Sequence, residues 1–238
     1  VMMSGKRWGY VVQFFCLLVF LGMSPFLIKM DGRKTRSVSS DSVRSQNVSD
    51  EVKPVVALTF DDGPNASSTP ILLDGLKERK VRATFFLIGE NVEKDENEKI
   101  VKRMYEEGHL IGNHTYTHCN LSKLETGEAK KELEQTDTVI EKITGKQPVF
   151  VRAPYGELPV DSEQDLNRIY IGWTVDPLDW MTEDTGAVVK TVVEEINPGD
   201  VILLHDCYPS SVQAAIRIVD LLQGKGYEFV TVDHLIMD

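Results

Sequence analysis

The stretch Pro54-Val-Val-Ala-Leu-Thr-Phe60, followed at once by Asp61-Asp62-Gly63-Pro64, decides how the rest of the chain is read. A short apolar, β-branched run ending on an Asp-Gly-Pro turn is a buried strand and the loop that leaves it. Similar runs recur at Ala83–Ile88, His109–Gly112, Pro148–Val151, Tyr170–Val175, Asp200–Leu204 and Tyr227–Val230. Helical stretches separate them. Ser68–Lys80 is amphipathic, with Ile71, Leu72, Gly75 and Leu76 on one side, and Asn97–Glu107 and Lys123–Thr144 stop at Gly108 and Gly145, as C-terminal caps do. Asp161–Arg168, Ala187–Ile196 and Ser211–Leu222 complete the alternation. Strands separated by helices predict a mainly parallel sheet. A doubly wound open sheet would ordinarily carry a glycine-rich phosphate loop after its first strand, where this chain has Asp-Asp-Gly-Pro, so a (β/α) barrel is favoured.

Upstream of that strand the sequence changes character. After Lys6 and Arg7, Gly9–Ile28 runs for twenty residues without a charge, about the length that crosses a bilayer core as a helix. No convincing small-x-small cleavage site follows a shorter apolar stretch, so residues 1–30 are expected to be an uncleaved signal anchor with the body outside the cell. The basic cluster Lys29–Arg36 opposes the positive-inside argument, and secretion after cleavage is the alternative. Residues 31–50, rich in Ser, Asp, Arg and Asn, read as a flexible stalk, and residues 51–238 as the functional domain. Cys16 lies in the apolar segment; Cys119 and Cys207 read as two unpaired small residues.

The 238 residues are 42% hydrophobic and 26% charged, which excludes disordered and collagen-like chains. Of the net charge of −11, residues 1–36 hold six basic side chains against Asp31, so the body is strongly acidic. An acidic body argues against a phosphate backbone as partner, and no nucleic-acid or protein partner is implied.

Polar chemistry collects where the expected strands end: Asp61 and Asp62, His114 and His118, Arg152, Asp176 and Asp179, and His205 and Asp206. In a (β/α) barrel those ends share one face, where active sites are built. His114 and His118 are spaced i, i+4, so on a helical turn both imidazoles reach one ion. Adjacent carboxylates in an extended segment point opposite ways, so one of Asp61 and Asp62 can bind metal while the other handles a proton. Two His and one Asp around zinc leave a position open for hydrolysis. His205 is the remaining strand-end candidate for protonating a leaving group. His109 and His234 are expected to be structural or exposed, Trp173 core, and Asp206 structural.

The segments Thr59-Phe-Asp-Asp-Gly-Pro64, His114-Thr-Tyr-Thr-His118, Arg152-Ala-Pro-Tyr-Gly156, Asp176-Pro-Leu-Asp-Trp180 and Leu203-Leu-His205 together resemble the polysaccharide deacetylases, the carbohydrate esterases of family four with a NodB-homology domain. The resemblance covers about residues 51–238. It implies a distorted (β/α) barrel of seven to eight mainly parallel strands, here preceded by an N-terminal transmembrane helix. It also implies metal-dependent removal of N-acetyl groups from N-acetylglucosamine polymers; with the anchor and stalk this points to cell-wall peptidoglycan, the alternatives being the same chemistry on chitin oligosaccharide, an exopolysaccharide or acetylated xylan, and a non-catalytic sugar-binding wall protein. By that resemblance Asp62, His114 and His118 are the ligands of one divalent ion, usually zinc, Asp61 is the general base and His205 the general acid. Arg152 holds Asp61, and Asp179 keeps His205 protonated. The backbone N–H of Tyr155 stabilises the oxyanion, and Trp180 and Leu203 wall the acetyl pocket.

Overall fold

The computed structural model describes residues 53–94, 96–160, 162 and 167–237. The expected anchor (1–30) and stalk (31–50) lie outside the described residues, as does most of the expected helix over Asp161–Arg168. Among the described residues no helix is long and apolar enough to cross a membrane.

Strands and helices alternate in the order β1 (Val55–Asp61), α1 (Thr69–Glu78), β2 (Thr84–Leu87), α2 (Gly89–Val92), α3 (Asn97–Glu106), β3 (Leu110–Asn113), α4 (Thr126–Thr144), β4 (Phe150–Val151), β5 (Ile169–Tyr170), α5 (Thr185–Glu195), β6 (Val201–His205), α6 (Pro209–Gly224), β7 (Glu228–Val230) and α7 (Val232–Met237). The sheet order is β5-β4-β3-β2-β1-β6, with β7 against the first half of β1. Every pairing is parallel, so the C-terminal strand ends share one edge. The result is a curled parallel half-barrel. Between β5 and β6 the expected strand Tyr170–Val175 shrinks to Ile169–Tyr170 plus one bridge, Val175 to Ile202.

Alternation along β1 sorts its side chains between two environments. Val56, Leu58 and Phe60 are fully buried against Leu72, Leu73 and Leu76 of α1 and Ile218 and Leu222 of α6. Each such side chain contributes roughly 1.5–3 kcal/mol. The other face carries Ala57, Thr59 and Asp61 inward. The register sets Thr59 beside Leu203 and Asp61 beside His205, so these four share the interior face. One local expectation needs correction. Ile71 is 62% exposed and Leu73 takes its place in the buried stripe, because Thr69, Leu72, Leu73 and Leu76 recur at i, i+3, i+4 and i+7 and Ile71 falls outside that face. The short helices α2 and α7 carry too few residues to show a period.

Helix ends follow their local chemistry. α4 stops where Gly145 adopts φ 72°, a conformation that costs glycine nothing. The Asp184 side chain caps α5 by accepting the N–H groups of Gly186 and Ala187.

His109, expected to be structural or exposed, is buried immediately before β3, where its Nδ1 accepts the Ala83 N–H at 3.1 Å. Burial, opposed by the Glu107 carboxylate and helped by Arg103 and Arg82, pushes its pKa down to about 4. An unfolded histidine takes its proton near the ordinary value of 6.5, which the folded one refuses until about 4. Stability is therefore lost as pH falls between those values, by about 3 kcal/mol from this residue. Urea unfolding from pH 7 to 4, with NMR of the His109 ring, checks this: the ring should stay neutral to about pH 4, and titration near its ordinary value would refute it.

Candidate active site

β1 delivers two adjacent carboxylates to the shared edge, and a backbone turn separates them. Asp61 is still in the strand, almost wholly buried, and its Oδ1 accepts from Arg152 Nη1 at 2.8 Å. At Asp62 the chain turns left-handed, φ 69°, and the Asn91 side chain holds its carbonyl at 2.7 Å. Gly63 completes the turn against Asp206: a Cβ there would lie 2.5 Å from Asp206 Oδ1, so no side chain fits.

β3 delivers the histidines. His114 Nδ1 lies 2.6 Å from the Arg152 carbonyl oxygen. A carbonyl only accepts, so Nδ1 carries the proton and donates it, which turns the Nε2 lone pair towards Asp62. His118 does not follow on a helical turn. The loop after β3 is irregular, with Thr115 at φ 64° and His118 at φ 58°, and this left-handed pair, not helical spacing, sets the ring centroids 5.0 Å apart. The expected neighbourhood of the two imidazoles is met by a different backbone path.

Asp62 Oδ1 lies 3.4 Å from His114 Nε2 and 3.2 Å from His118 Nε2. It is buried and makes no well-formed hydrogen bond. Burial works to raise the Asp62 carboxyl, but the imidazoles of His114, His118 and His205 outweigh it and hold it below its ordinary range. His118 is itself lowered, chiefly by burial and against the pull of Asp62, which favours the neutral ring a ligand needs. One carboxylate oxygen and two imidazole nitrogens, all within 4.8 Å of one another, form a donor set that fits a divalent cation.

Arg152 crosses the interior beneath this group and is fully buried. Nη1 donates to Asp61 Oδ1 and to the Thr59 hydroxyl (2.7 Å), Nη2 to the Gly172 carbonyl (2.9 Å) and Nε to the Ile171 carbonyl (3.3 Å). Its flat face lies over Phe86, 4.3 Å from the ring centroid, with Trp173 at 5.7 Å. Trp173, expected as core within a strand, is thus a half-buried part of the site floor, because the strand ends at Tyr170.

Opposite, His205 ends β6. Asp179 accepts its Nδ1–H at 2.7 Å through one carboxylate oxygen and its backbone N–H at 2.8 Å through the other. Nε2 therefore faces the centre, 4.0 Å from Asp62 Oδ2. Burial opposes a charged His205, but the hydrogen bond and charge of Asp179, with Asp61 and Asp62 behind it, raise its pKa to about 9. Leu203, two residues back on the same face, is 4% exposed, and Trp180, beside Asp179, is 52% exposed. Tyr155 has φ 62°, and its ring packs 5.0 Å from His118. All ten expected site residues thus lie around one strand-end edge. Of the six non-glycine residues with positive φ among the described residues, Asp62, Thr115, His118, Tyr155 and Leu178 border it, the clustering of backbone strain found where function over-determines geometry.

Several participants escaped the sequence reading. Thr59, quoted within a motif but given no role, donates its hydroxyl to the Ile202 carbonyl (2.6 Å) while accepting from Arg152. Asn113 and Glu132, described below, gave no signal. Asp206 proves structural as expected: burial raises it to about 7, and the Thr69 hydroxyl donates to it at 2.5 Å. Asp176 accepts the Leu178 N–H and shapes the turn into Asp179. Cys119 and Cys207 are free, and burial, with Asp62 and Asp206, pushes the Cys207 thiol up to about 12.

Residues 49–171 match the family described as polysaccharide deacetylase. A peptidoglycan-N-acetylglucosamine deacetylase of Bacillus cereus is 42% identical over 190 residues, covering 77% of this chain and 68% of that protein. The peptidoglycan-N-acetylmuramic acid deacetylase PdaC of Bacillus subtilis is 39% identical over 194 residues, 82% of this chain but only 41% of its own length. The solved structure of PdaC superposes with a TM-score of 0.75 at 39% identity, covering 78% of this chain and 91% of that one. A family 4 acetyl xylan esterase from Clostridium thermocellum, in complex with a cobalt ion, gives 0.72 at 33% identity, covering 77% and 90%.

The Asp179–His205 pair has a sign that can be read in solution. Because the pKa of His205 is raised, the pair's contribution to stability is complete below the ordinary value of 6.5 and disappears as pH rises through about 9. In metal-free protein, NMR should find the His205 ring titrating near 9, and Asp179→Asn should move that titration clearly down, since Asp179 supplies the leading raising contributions and burial then opposes the charge with less to offset it. An unmoved titration would break the assignment.

Proposed function

The chain belongs to the polysaccharide deacetylase family, and we propose that it removes N-acetyl groups from the N-acetylglucosamine residues of cell-wall peptidoglycan, using a zinc ion held by Asp62, His114 and His118. The observation that carries the proposal is the convergence on one edge of a metal-fitting triad, a carboxylate fixed by a buried arginine and a histidine kept charged by a second carboxylate. Asp62, His114 and His118 would hold a divalent cation, which when bound would supply Lewis acidity towards the amide carbonyl and a water molecule.

The chain's own groups divide the proton transfers. Asp61 commits Oδ1 to Arg152 and keeps Oδ2, 3.7 Å from His114 Nε2, to take the proton of the attacking water. As oxygen attacks the acetyl carbon, the carbonyl π pair moves onto oxygen, where the Tyr155 N–H stabilises it. Its return breaks the C–N bond, and Nε2–H of His205 passes a proton to the departing nitrogen. Acetate and a free amine leave. With Nδ1 bound to Asp179, Nε2 is the one ring nitrogen aimed at the centre. The presence of both Asp61 and His205 argues against a non-catalytic sugar-binding role.

A cavity of about 630 Å³, lined by Asp179, Trp180, Met181, Thr185, Tyr208 and Gln213, lies beside the acid and leaves room there for part of a sugar chain. Structural similarity to an acetyl xylan esterase favours one alternative, the same chemistry on an ester. The N-acetylmuramic acid named for PdaC is a second alternative acetyl source. We further propose that the uncharged run Gly9–Ile28 anchors the protein with its domain outside the cell, where such a polymer is found.

Acetate release on peptidoglycan, N-acetylglucosamine oligomers and acetylated xylan, with and without Zn²⁺, is the test. Zinc-dependent release should be fastest on peptidoglycan, with new free amines on glucosamine and not on muramic acid. Asp61→Asn should lower it by at least 10²-fold, the scale of general-base catalysis. Undiminished release by that variant would overturn the assignment of the base, and faster release from xylan would overturn the substrate.

A further inference from the structure

The loop carrying His114 and His118 enters no regular element, yet both rings must keep one arrangement to share an ion. Helix α4 grips it at two points. At the first, Asp137, buried, accepts from Asn113 Nδ2 at 2.7 Å, and the same amide group donates to the Leu133 carbonyl at 2.8 Å. Asn113 Oδ1 then accepts the Thr115 N–H at 2.8 Å, which fixes the backbone on either side of His114. At the second, Glu132 Oε2 accepts the N–H groups of Tyr116 at 3.0 Å and Thr117 at 2.8 Å, and the Thr117 hydroxyl donates to the same carboxylate. Those N–H groups turn to one side because Thr115 and His118, the residues that bracket them, are both left-handed. Successive N–H groups in such a bend form an anion seat, and here the anion is a side chain of the protein itself.

We propose that Glu132 is a positioning residue for the metal centre: by clamping the backbone between the two histidines it sets their separation, although it is not one of the three ligands. The inference rests on the reading of Asp62, His114 and His118 as metal ligands. Hydrogen bonds from N–H to a carboxylate are about twice as strong as neutral ones, and a glutamine, whose single oxygen can take the place of Oε2, keeps both N–H groups only as neutral hydrogen bonds. Removal of the carboxylate leaves the left-handed bend without its partner and the His118 ring free to swing from Asp62.

Competition of Zn²⁺ between the full chain and a chromophoric chelator tests this without any substrate. Glu132→Ala should bind Zn²⁺ about 10–100-fold more weakly, as loss of a group supporting metal ligands does, with Glu132→Gln between it and the parent. The visible spectrum of the Co²⁺-loaded protein should change in both. Glu134→Ala, an exposed acid on the same helix paired with Lys130, should leave both readouts unaltered. Should Glu132→Ala not fold, Glu132→Gln decides alone. Parental affinity and spectrum in the folded Glu132 variants would overturn the positioning role while leaving the metal centre intact. A parent chain that bound no Zn²⁺ would sink the centre and the inference with it.

Discussion

The site depends on one buried ion pair, Arg152 with Asp61, whose side chains are 0% and 5% exposed. A guanidinium taken out of water must find nearly all its hydrogen bonds inside the protein. Arg152 finds them on β1, at Thr59 and Asp61, and on the segment leaving β5, at Ile171 and Gly172, while its own carbonyl receives the Nδ1–H of His114. One residue therefore orients the proposed base and one proposed metal ligand. Removing either charge would strand the other in the interior, a loss of about 3–5 kcal/mol. The pair thus fixes geometry and cannot be exchanged piecemeal.

The pair also explains how two neighbouring aspartates come to point to different places. Parallel register keeps Asp61 on the inner face beside His205 and within reach of Arg152. The left-handed step at Asp62 then carries the second carboxylate to the histidines. Each side chain is held before any substrate arrives, which is the preorganisation that hydrolysis of a stable amide requires. The apolar faces of β1, β2 and β6 against α1 and α6 give the rigid base from which these loops project.

Much of this was legible in the sequence because two signals coincided, apolar runs marking the strands and charged residues marking their ends. Thr59-Phe-Asp-Asp-Gly-Pro64 fell on β1 and its turn, and Leu203-Leu-His205 on β6. Legibility failed where a residue's reason for being there lay far along the chain. Glu132 serves a loop sixteen positions back and Asn113 a carboxylate twenty-four positions on, and neither looks unlike any polar residue on a helix or strand. The spacing of His114 and His118 suggested a helical turn because side-chain distance alone does not reveal a left-handed backbone. Trp173 looked like core because a β-rich run does not announce that its strand stops after two residues.

The central claim is that Asp62 binds metal while Arg152 withholds Asp61 from it. Anomalous diffraction at the zinc edge from crystals grown with Zn²⁺ tests it directly. The account expects one peak about 2.0–2.2 Å from Asp62 Oδ1, His114 Nε2 and His118 Nε2, with Asp61 still bound to Arg152. A peak coordinated by Asp61, or one lying away from the two histidines, would contradict it.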